Sequence, residues 1–221
     1  TGITLEQAEV RAVGKAEFYF AVIERKGRLS TQVIAEIIEK TVREFPWPKS
    51  MRWGSGALRW VRPLHSILCC FDGKPLAFEI DGIKAGDTTR GHRFMAPDVI
   101  HARTFAEYAA KLEKAFVCLD PAARKTRILN GVRALATANG LNLIEDEGLL
   151  DEVAGLNEWP VALLGEFDPA FLAVPSEVLT TAMRSHQKYF SLRDAKSGNL
   201  SPHFIAVSNF NAADGGKMIV E

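Results

Sequence analysis

Cysteine is scarce in this sequence: Cys69, Cys70 and Cys118 are the only three. An odd count without framework spacing excludes a disulfide-stapled secreted scaffold. Cys69 and Cys70 sit in the apolar run SILCCF and read as buried small hydrophobes. Apolar runs of about 18 residues are absent as well, which excludes a transmembrane helix. No signal peptide is read at the start, so a cytoplasmic protein without a membrane partner is expected. Neither sign of charge is in excess, since 27 Lys and Arg balance 27 Asp and Glu. No global field therefore draws in nucleic acid, and any RNA contact needs a local basic patch.

The spacings that mark common chemistries are missing too. There is no CxxC, HxxxH or HExxH, and His65, His92, His101, His186 and His203 are scattered, so no metal site is expected. Phosphate loops of the form GxxxxGK[ST] or GxGxxG are absent. The nucleophile elbow GxSxG is absent as well, and Gly54-Ser55-Gly56 is only GSG. The residues alone assign no catalytic group.

What is present is an ordinary globular composition, 47% hydrophobic and 24% charged, in a length that suits one large domain or two small ones. Thr4-Leu5-Glu6-Gln7 has the capping-box form and predicts a short helix to about Val13. Phe18 to Glu24 reads as a strand. Ser30 is expected to cap a helix over 30–45, with Val33, Ile34, Ile37, Ile38, Val42 and Phe45 on one stripe and Pro46 ending it. Strands are expected at Leu64 to Phe71 and Leu76 to Ile80 around an Asp72-Gly73 turn, with a second turn at Asp81-Gly82. Thr104-Phe105-Ala106-Glu107 is a second capping box, opening a helix to about Lys114 with Phe105, Tyr108, Ala109 and Leu112 inward. Phe116 to Leu119 reads as a short buried strand. Asp120-Pro121 starts a long helix that stops at Asn139-Gly140, with Ile128, Leu129, Val132, Leu135 and Ala136 inward. Further helices are expected at Leu149 to Leu156 and Pro175 to Ser185. A strand at Val161 to Gly165 and a hairpin closing at Phe204 to Val207 complete the set. This order predicts an α+β fold with a mixed, largely antiparallel sheet and packed helices. Pro46 is the expected boundary between a leading α+β subdomain, 1–46, and a main α+β domain, 47–221. The start at Thr1 and the end at Glu221 read as those of a piece of a longer protein.

Three stretches carry candidate function. Trp47 to His65 holds three of the four tryptophans, Trp47, Trp53 and Trp60, with Lys49, Arg52, Arg59 and Arg62. Arginine with tryptophan suits stacking on bases or sugar–phosphate. The competing reading is an irregular turn whose tryptophans, Trp53 and Trp60 above all, pack inward while Arg52, Arg59 and Arg62 face out. The second stretch, Thr89-Arg90-Gly91-His92-Arg93-Phe94, offers Arg90, His92 and Arg93 for phosphate or carboxylate binding, with Gly91 letting the backbone approach a ligand. Catalysis by His92 would need a carboxylate partner, and none adjoins it in sequence. The third, Met183 to Phe190, places Arg184, His186, Gln187 and Lys188 at a helix end. They complement the helix dipole there, or they line a pocket or an RNA face. On the long helix, Arg124, Lys125, Arg127 and Arg133 read as a solvated face or an RNA contact.

Six stretches in series, FPWPKSMRWG, WVRPLHSIL, TRGHRF, EVAGLNEWPVALLGEF, FLAVPSEVLTTAMRSHQKYF and LSPHFIAVSN, resemble the β subunit of bacterial α2β2 glycyl-tRNA synthetase across essentially the whole chain. The resemblance implies a class II aminoacyl-tRNA synthetase, a ligase in which the α subunit carries glycyl-adenylate formation with ATP and Mg²⁺. It implies as partners the α subunit, tRNA(Gly) and the remainder of a much longer β subunit. The chain is then a portion without catalytic residues or cofactors of its own, scaffolding the enzyme and contacting tRNA. The RNA-binding candidates are Lys49, Arg52, Arg59, Arg62, Arg90, His92, Arg93, Arg184, His186, Gln187 and Lys188. The rival readings are a small-molecule or editing-like pocket and a purely structural subunit interface. For glycine, the smallest amino acid, size exclusion weakens the need for editing.

Overall fold

A computed structural model of the chain describes residues 4–23 and 26–220. In chain order the strands and helices are β1 (Glu9–Val13), β2 (Ala16–Phe20), α1 (Ser30–Glu44), β3 (Ile67–Leu68), β4 (Cys70–Phe71), β5 (Lys74–Pro75), β6 (Glu79–Ile80), β7 (Ile83–Gly86), β8 (Thr88–Arg90) and β9 (Val99–His101), followed by α2 (Phe105–Lys114), α3 (Pro121–Ala138), β10 (Leu141–Leu143), α4 (Glu147–Leu156), β11 (Val161–Glu166), α5 (Ser176–Ala182), β12 (Phe190–Asp194), β13 (Leu200–Ser208) and α6 (Lys217–Val220). The fold is α+β with mostly antiparallel pairing; β3 with β7 is a parallel pair. Two compact units emerge, Thr1–Pro63 with Phe78–Asp81, and Leu64–Ala77 with Gly82–Glu221. The division falls after Pro63 rather than Pro46.

The first unit shows why Pro46 does not separate its flanks. Phe45, Trp47 and Trp60 pack ring on ring, with centroids 4.5 Å, 4.9 Å and 6.0 Å apart. Met51 and Trp60 exchange backbone hydrogen bonds of 2.7 Å and 3.2 Å, closing the intervening residues into a loop. The tryptophan stretch is thereby tied back onto the end of α1. Leu58 and Ile80 supply the fully buried aliphatic side chains here, and the Asp81 carboxylate lies so near Gly56 that a Cβ there would come within 2.6 Å of it.

Two expectations for this unit fail. The capping box at Thr4 yields only a 3₁₀ turn, Leu5–Gln7, and 9–13 form β1 instead of helix. The Gln7 side chain lies outside the described residues. Val10 and Val13 favour a pleated strand, and Tyr19 and Ala16 stand directly opposite them on β2. Gly14, at φ +70°, opens the two-residue turn that makes this pairing available. The strand expected to run to Glu24 ends at Phe20, and Glu24 lies outside the described residues. Helix α1 forms where expected and stops before Pro46, but Leu29 is its cap residue and no side chain caps it. Its apolar stripe is only half-buried, with Ile37 58% exposed.

The second unit is built on a four-stranded antiparallel sheet in the order β10-β12-β13-β11. Side chains alternate across a strand, and β13 uses both faces. Ile205 and Val207 join the cluster of Ile128, Val132, Leu149, Val153 and Leu192 under α3 and α4. Phe204 and Ala206 join Met183, Leu179, Tyr189 and Val220 on the other face. The ends of α3 follow its sequence signals: Asp120 accepts from Ala122 N at 3.1 Å, Pro121 opens the helix, and Gly140 follows Asn139 at φ +67°. Helix α2 is capped by Thr104, whose Oγ1 accepts from Glu107 N, while Glu107 accepts from Arg103 N, one residue before the cap. Asp72 and Gly73, at φ 50° and 70°, form the two-residue hairpin loop between β4 and β5.

Two local expectations are corrected, and one strand was not expected. Phe105 is 76% exposed, so the inward face of α2 is Leu112 with Tyr108 and Ala109 half-buried. Phe116 to Leu119 is no strand, because Phe116 takes φ 59° and its neighbours bond elsewhere: Val117 N to Leu112 O, and Cys118 N to Glu158 O. Residues 141–143, too short to show a period, form the edge strand β10 against β12.

Leu192 is fully buried beneath α3 and α4. Leu192→Ala is expected to lower unfolding free energy by about 2–5 kcal/mol, read as a fall in the urea midpoint; a loss under about 1 kcal/mol would contradict the packing described.

Candidate functional site

The Thr89–Phe94 stretch turns a corner in the second unit. After β8 the chain bends at Gly91, where an added Cβ would lie 2.4 Å from the Ala115 Cβ and 2.8 Å from its carbonyl oxygen. The glycine therefore serves a close approach of backbone to the end of α2, not to a ligand as the sequence reading had it. His92 N donates to that same Ala115 carbonyl at 2.8 Å, and Ala96 N donates to His92 O at 2.9 Å. The imidazole is drawn inward and is 1% exposed. Its Nδ1 accepts from the backbone N–H groups of Phe94 and Met95, each at 3.3 Å. That pattern assigns the ring proton to Nε2. Nε2 is buried and has no hydrogen-bond partner among the described residues.

Arg90 and Arg93 stay exposed on either side. Arg90 donates to Pro97 O at 3.0 Å, and Arg93 lies 5.8 Å from the centroid of the Phe94 ring. His92 and Arg93 line a cavity of about 430 Å³ together with Arg124, Asn157, Glu158 and Asn209. His92 is thus withdrawn from any convex RNA-facing surface.

The third stretch is a clamp. Helix α5 runs into a π-helical turn, Met183–Gln187, which ends at Lys188 in the left-handed region, φ 60°. Arg184 Nε donates to Asp146, the residue that caps α4 through Leu149 N at 2.8 Å. Lys188 Nζ bonds Ser185 O at 3.0 Å and pairs with Glu152 of α4 at 2.8 Å. The Arg184 guanidinium, then the backbone N–H of Leu149, hold the Asp146 carboxyl below the usual carboxylate range. His186 and Gln187 are exposed and line a different, apolar cavity of about 620 Å³ with Phe167, Met183, Tyr189 and Phe204. The structure therefore does not bring His186 to His92.

The cations on α3 resolve into structural roles. Arg133 pairs with Glu145, Lys125 with Asp151 and Arg127 with Glu113. The Arg127 guanidinium also stands 3.9 Å above the Trp159 ring. Arg124 donates to the carbonyls of Ala154 at 3.0 Å and Cys118 at 2.9 Å. In the tryptophan stretch of the first unit the picture is the reverse, although Arg11, Arg28 and Arg43 of that unit are paired with carboxylates. Lys49, Arg52, Arg59 and Arg62 are exposed, and none forms an ion pair among the described residues. Arg59 makes a single long contact to Ser50 Oγ, 3.5 Å. Trp53 and Trp60 are half-buried.

Sequence reasoning missed a carboxylate-centred network. Asp87 accepts from Arg103 Nε at 2.8 Å and meets His101 Nδ1 at 3.0 Å, and these contacts lower its carboxyl pKa. It missed Asn209 too, whose Oδ1 accepts from Glu158 N at 2.6 Å and Trp159 N at 3.1 Å. Partners some 50 residues apart leave no local signal. Among the described residues, no group of three His, Cys, Asp or Glu side chains is gathered that could hold a metal ion, and no helix is long and apolar enough to cross a membrane.

An α+β chain with these motifs in this order finds its counterpart in one family: the model described as glycyl-tRNA synthetase beta subunit matches residues 1–221, and the chain belongs to that family. Among individual proteins, it is 51% identical to the glycine–tRNA ligase beta subunit of Paracoccus denitrificans over 100% of this chain and 33% of that protein. It is 51% identical to that of a Ruegeria species over 99% of this chain and 32% of the relative, and 50% identical to that of Phenylobacterium zucineum over 100% and 33%. The chain spans about a third of the length of these relatives.

The clamp has a pH signature. A carboxyl whose pKa is lower folded than unfolded stabilises above its unfolded value, near 4, and that stability is lost as pH falls through the folded value. Asp146→Asn should lower the melting temperature at pH 7 and flatten the acid limb of the stability profile below about pH 4. An acid limb identical to that of the unsubstituted chain would remove Asp146 from this role.

Proposed function

We propose that this chain is a non-catalytic portion of a glycine–tRNA ligase β subunit, supporting ATP-dependent glycylation of tRNA(Gly) by scaffolding and by contacting the tRNA. Family membership over the full chain supports the first part. The observation that carries the second is the exposed, unpaired set Lys49, Arg52, Arg59 and Arg62 beside half-buried tryptophans. Around α3 and α4, by contrast, Arg184, Lys188, Lys125, Arg127 and Arg133 each face a carboxylate. Guanidinium groups left without carboxylates retain their full capacity for phosphate oxygens, and adjacent indole edges suit ribose and bases. Formal neutrality of the chain makes such local concentration the only electrostatic route to RNA. Arg90 and Arg93 are exposed candidates for further phosphate contact in the second unit.

Scaffolding is supported by apolar side chains left open in the first unit, among them Val10, Phe18 and Tyr19 of the β1–β2 hairpin and Ile37 of α1. Surfaces of this kind suit a protein partner, here the α subunit or the remainder of the β subunit. ATP and Mg²⁺ belong, in this reading, to the α subunit.

The test is a tRNA(Gly) titration of the assembled α2β2 enzyme carrying Arg52→Glu and Arg62→Glu. Affinity should fall by at least about tenfold, and the slope of log affinity against log salt should drop by about one to two. Unchanged affinity and slope would exclude both residues as tRNA contacts.

A further inference from the structure

The cavity beside His92 has a surplus of donors, of which the proposed tRNA contact would use only Arg93. With Nδ1 occupied by two backbone N–H groups, the imidazole presents Nε2–H, buried and unpartnered. A buried donor without an acceptor is costly, and native structures rarely leave one without a reason. Arg124 spends Nε and Nη1 on carbonyls, while its Nη2 has no protein acceptor among the described residues. Asn209 spends Oδ1 on the backbone of Glu158 and Trp159, and its Nδ2 likewise has no acceptor. Arg93, exposed on the same cavity, forms no ion pair among the described residues. Against these four stand the Glu158 carboxylate and the Asn157 side chain, whose Nδ2 is already given to Val153 O at 2.8 Å. Two guanidinium groups and one carboxylate leave the lining with a net positive charge.

We infer that this cavity is a binding site for a small oxyanion, a carboxylate or a phosphate monoester, with His92 Nε2–H as its innermost donor. About 430 Å³ suits a small molecule. The buried position of Nε2 favours a terminal group over a phosphodiester, which carries substituents on both sides. Nε2 is shut off from solvent, so the ligand reaches it by displacing the Phe94 ring, which is 73% exposed and lies against His92, Phe210 and the Arg93 guanidinium. The Gly91–Ala115 approach and the two N–H groups on Nδ1 fix the ring before any ligand arrives, which lowers the ordering cost of binding.

The test uses the chain labelled with ¹⁵N-histidine, titrated in parallel with sodium phosphate, sodium acetate and sodium chloride at matched ionic strength, while the His92 ring nitrogens are followed by NMR. Saturable movement of Nε2 with phosphate or acetate, beyond that with chloride, is expected. A response to phosphate alone identifies a phosphoryl ligand, and a response to acetate alone identifies a carboxylate. Arg93→Ala should weaken the binding at least about threefold, and His92→Phe should abolish it. Since His92 is buried, its substitution counts only where the backbone amide spectrum is preserved; otherwise the exposed Arg93 carries the test. A ring that responds to neither oxyanion, or equally to chloride, would overturn the assignment. That outcome would leave the tRNA reading of Lys49, Arg52, Arg59 and Arg62 intact, since those residues belong to the other unit.

Discussion

The second unit depends on the two-sided burial of β13. Register is strongly specified wherever one face of a strand is buried, and a strand covered on both faces has every side chain committed. Ile205 is fully buried toward α3 and α4, and its neighbours Phe204 and Ala206 are buried on the opposite face. The commitment is sharpest at Phe204. It pairs directly with Gly165 on β11, where an added Cβ would meet the ring at 2.4 Å, and it stacks on Tyr189 with centroids 4.3 Å apart. The glycine lets the phenyl ring lie over the neighbouring strand, and the ring in turn positions Tyr189 immediately after the π-helical turn. Register, the helix end and the lining of the apolar cavity are therefore set by one cross-strand pair.

Electrostatics divides the molecule differently. In the second unit most cations near α4 are consumed in holding helices together: Arg184 on the capping carboxylate, Lys188 on Glu152, Lys125 and Arg133 on the acids that flank or belong to α4. Exposed pairs of this type contribute little individually. Their consequence is to withdraw charge from the surface available to RNA. In the first unit Lys49, Arg52, Arg59 and Arg62 are left uncompensated by carboxylates. A chain with no net charge thereby keeps four exposed, unpaired cations within 49–62 without a global field.

What the sequence made legible was what short-range chemistry decides. Asp120-Pro121 and Asn139-Gly140 marked α3, Thr104 with Glu107 marked α2, and Asp72-Gly73 marked a hairpin, because caps and turns are satisfied within a few residues. The same rule misled at Thr4, where cross-strand pairing of Val10 and Val13 with Tyr19 and Ala16 overrides a local cap. The exposed set Arg52, Arg59 and Arg62 was readable from their spacing around tryptophans. The burial of His92 was not, since it depends on Gly91 meeting Ala115 and on Nδ1 capturing two amides after a turn. Nor was the fate of the α3 cations, whose partners arrive from α4, from the residues just before it, and from α2. Family resemblance was carried by six motifs in series, none of which marks a site by itself.

Native-state hydrogen exchange tests most directly whether β13 holds the second unit together. Amides of Ile205, Ala206 and Val207, bonded within the sheet and buried on both faces, should exchange only through global opening and be the slowest in the chain. Amides of the exposed β1–β2 hairpin should exchange through local opening, faster by at least about two orders of magnitude. Protection of β13 no greater than that of β1 and β2 would contradict its central place in the fold.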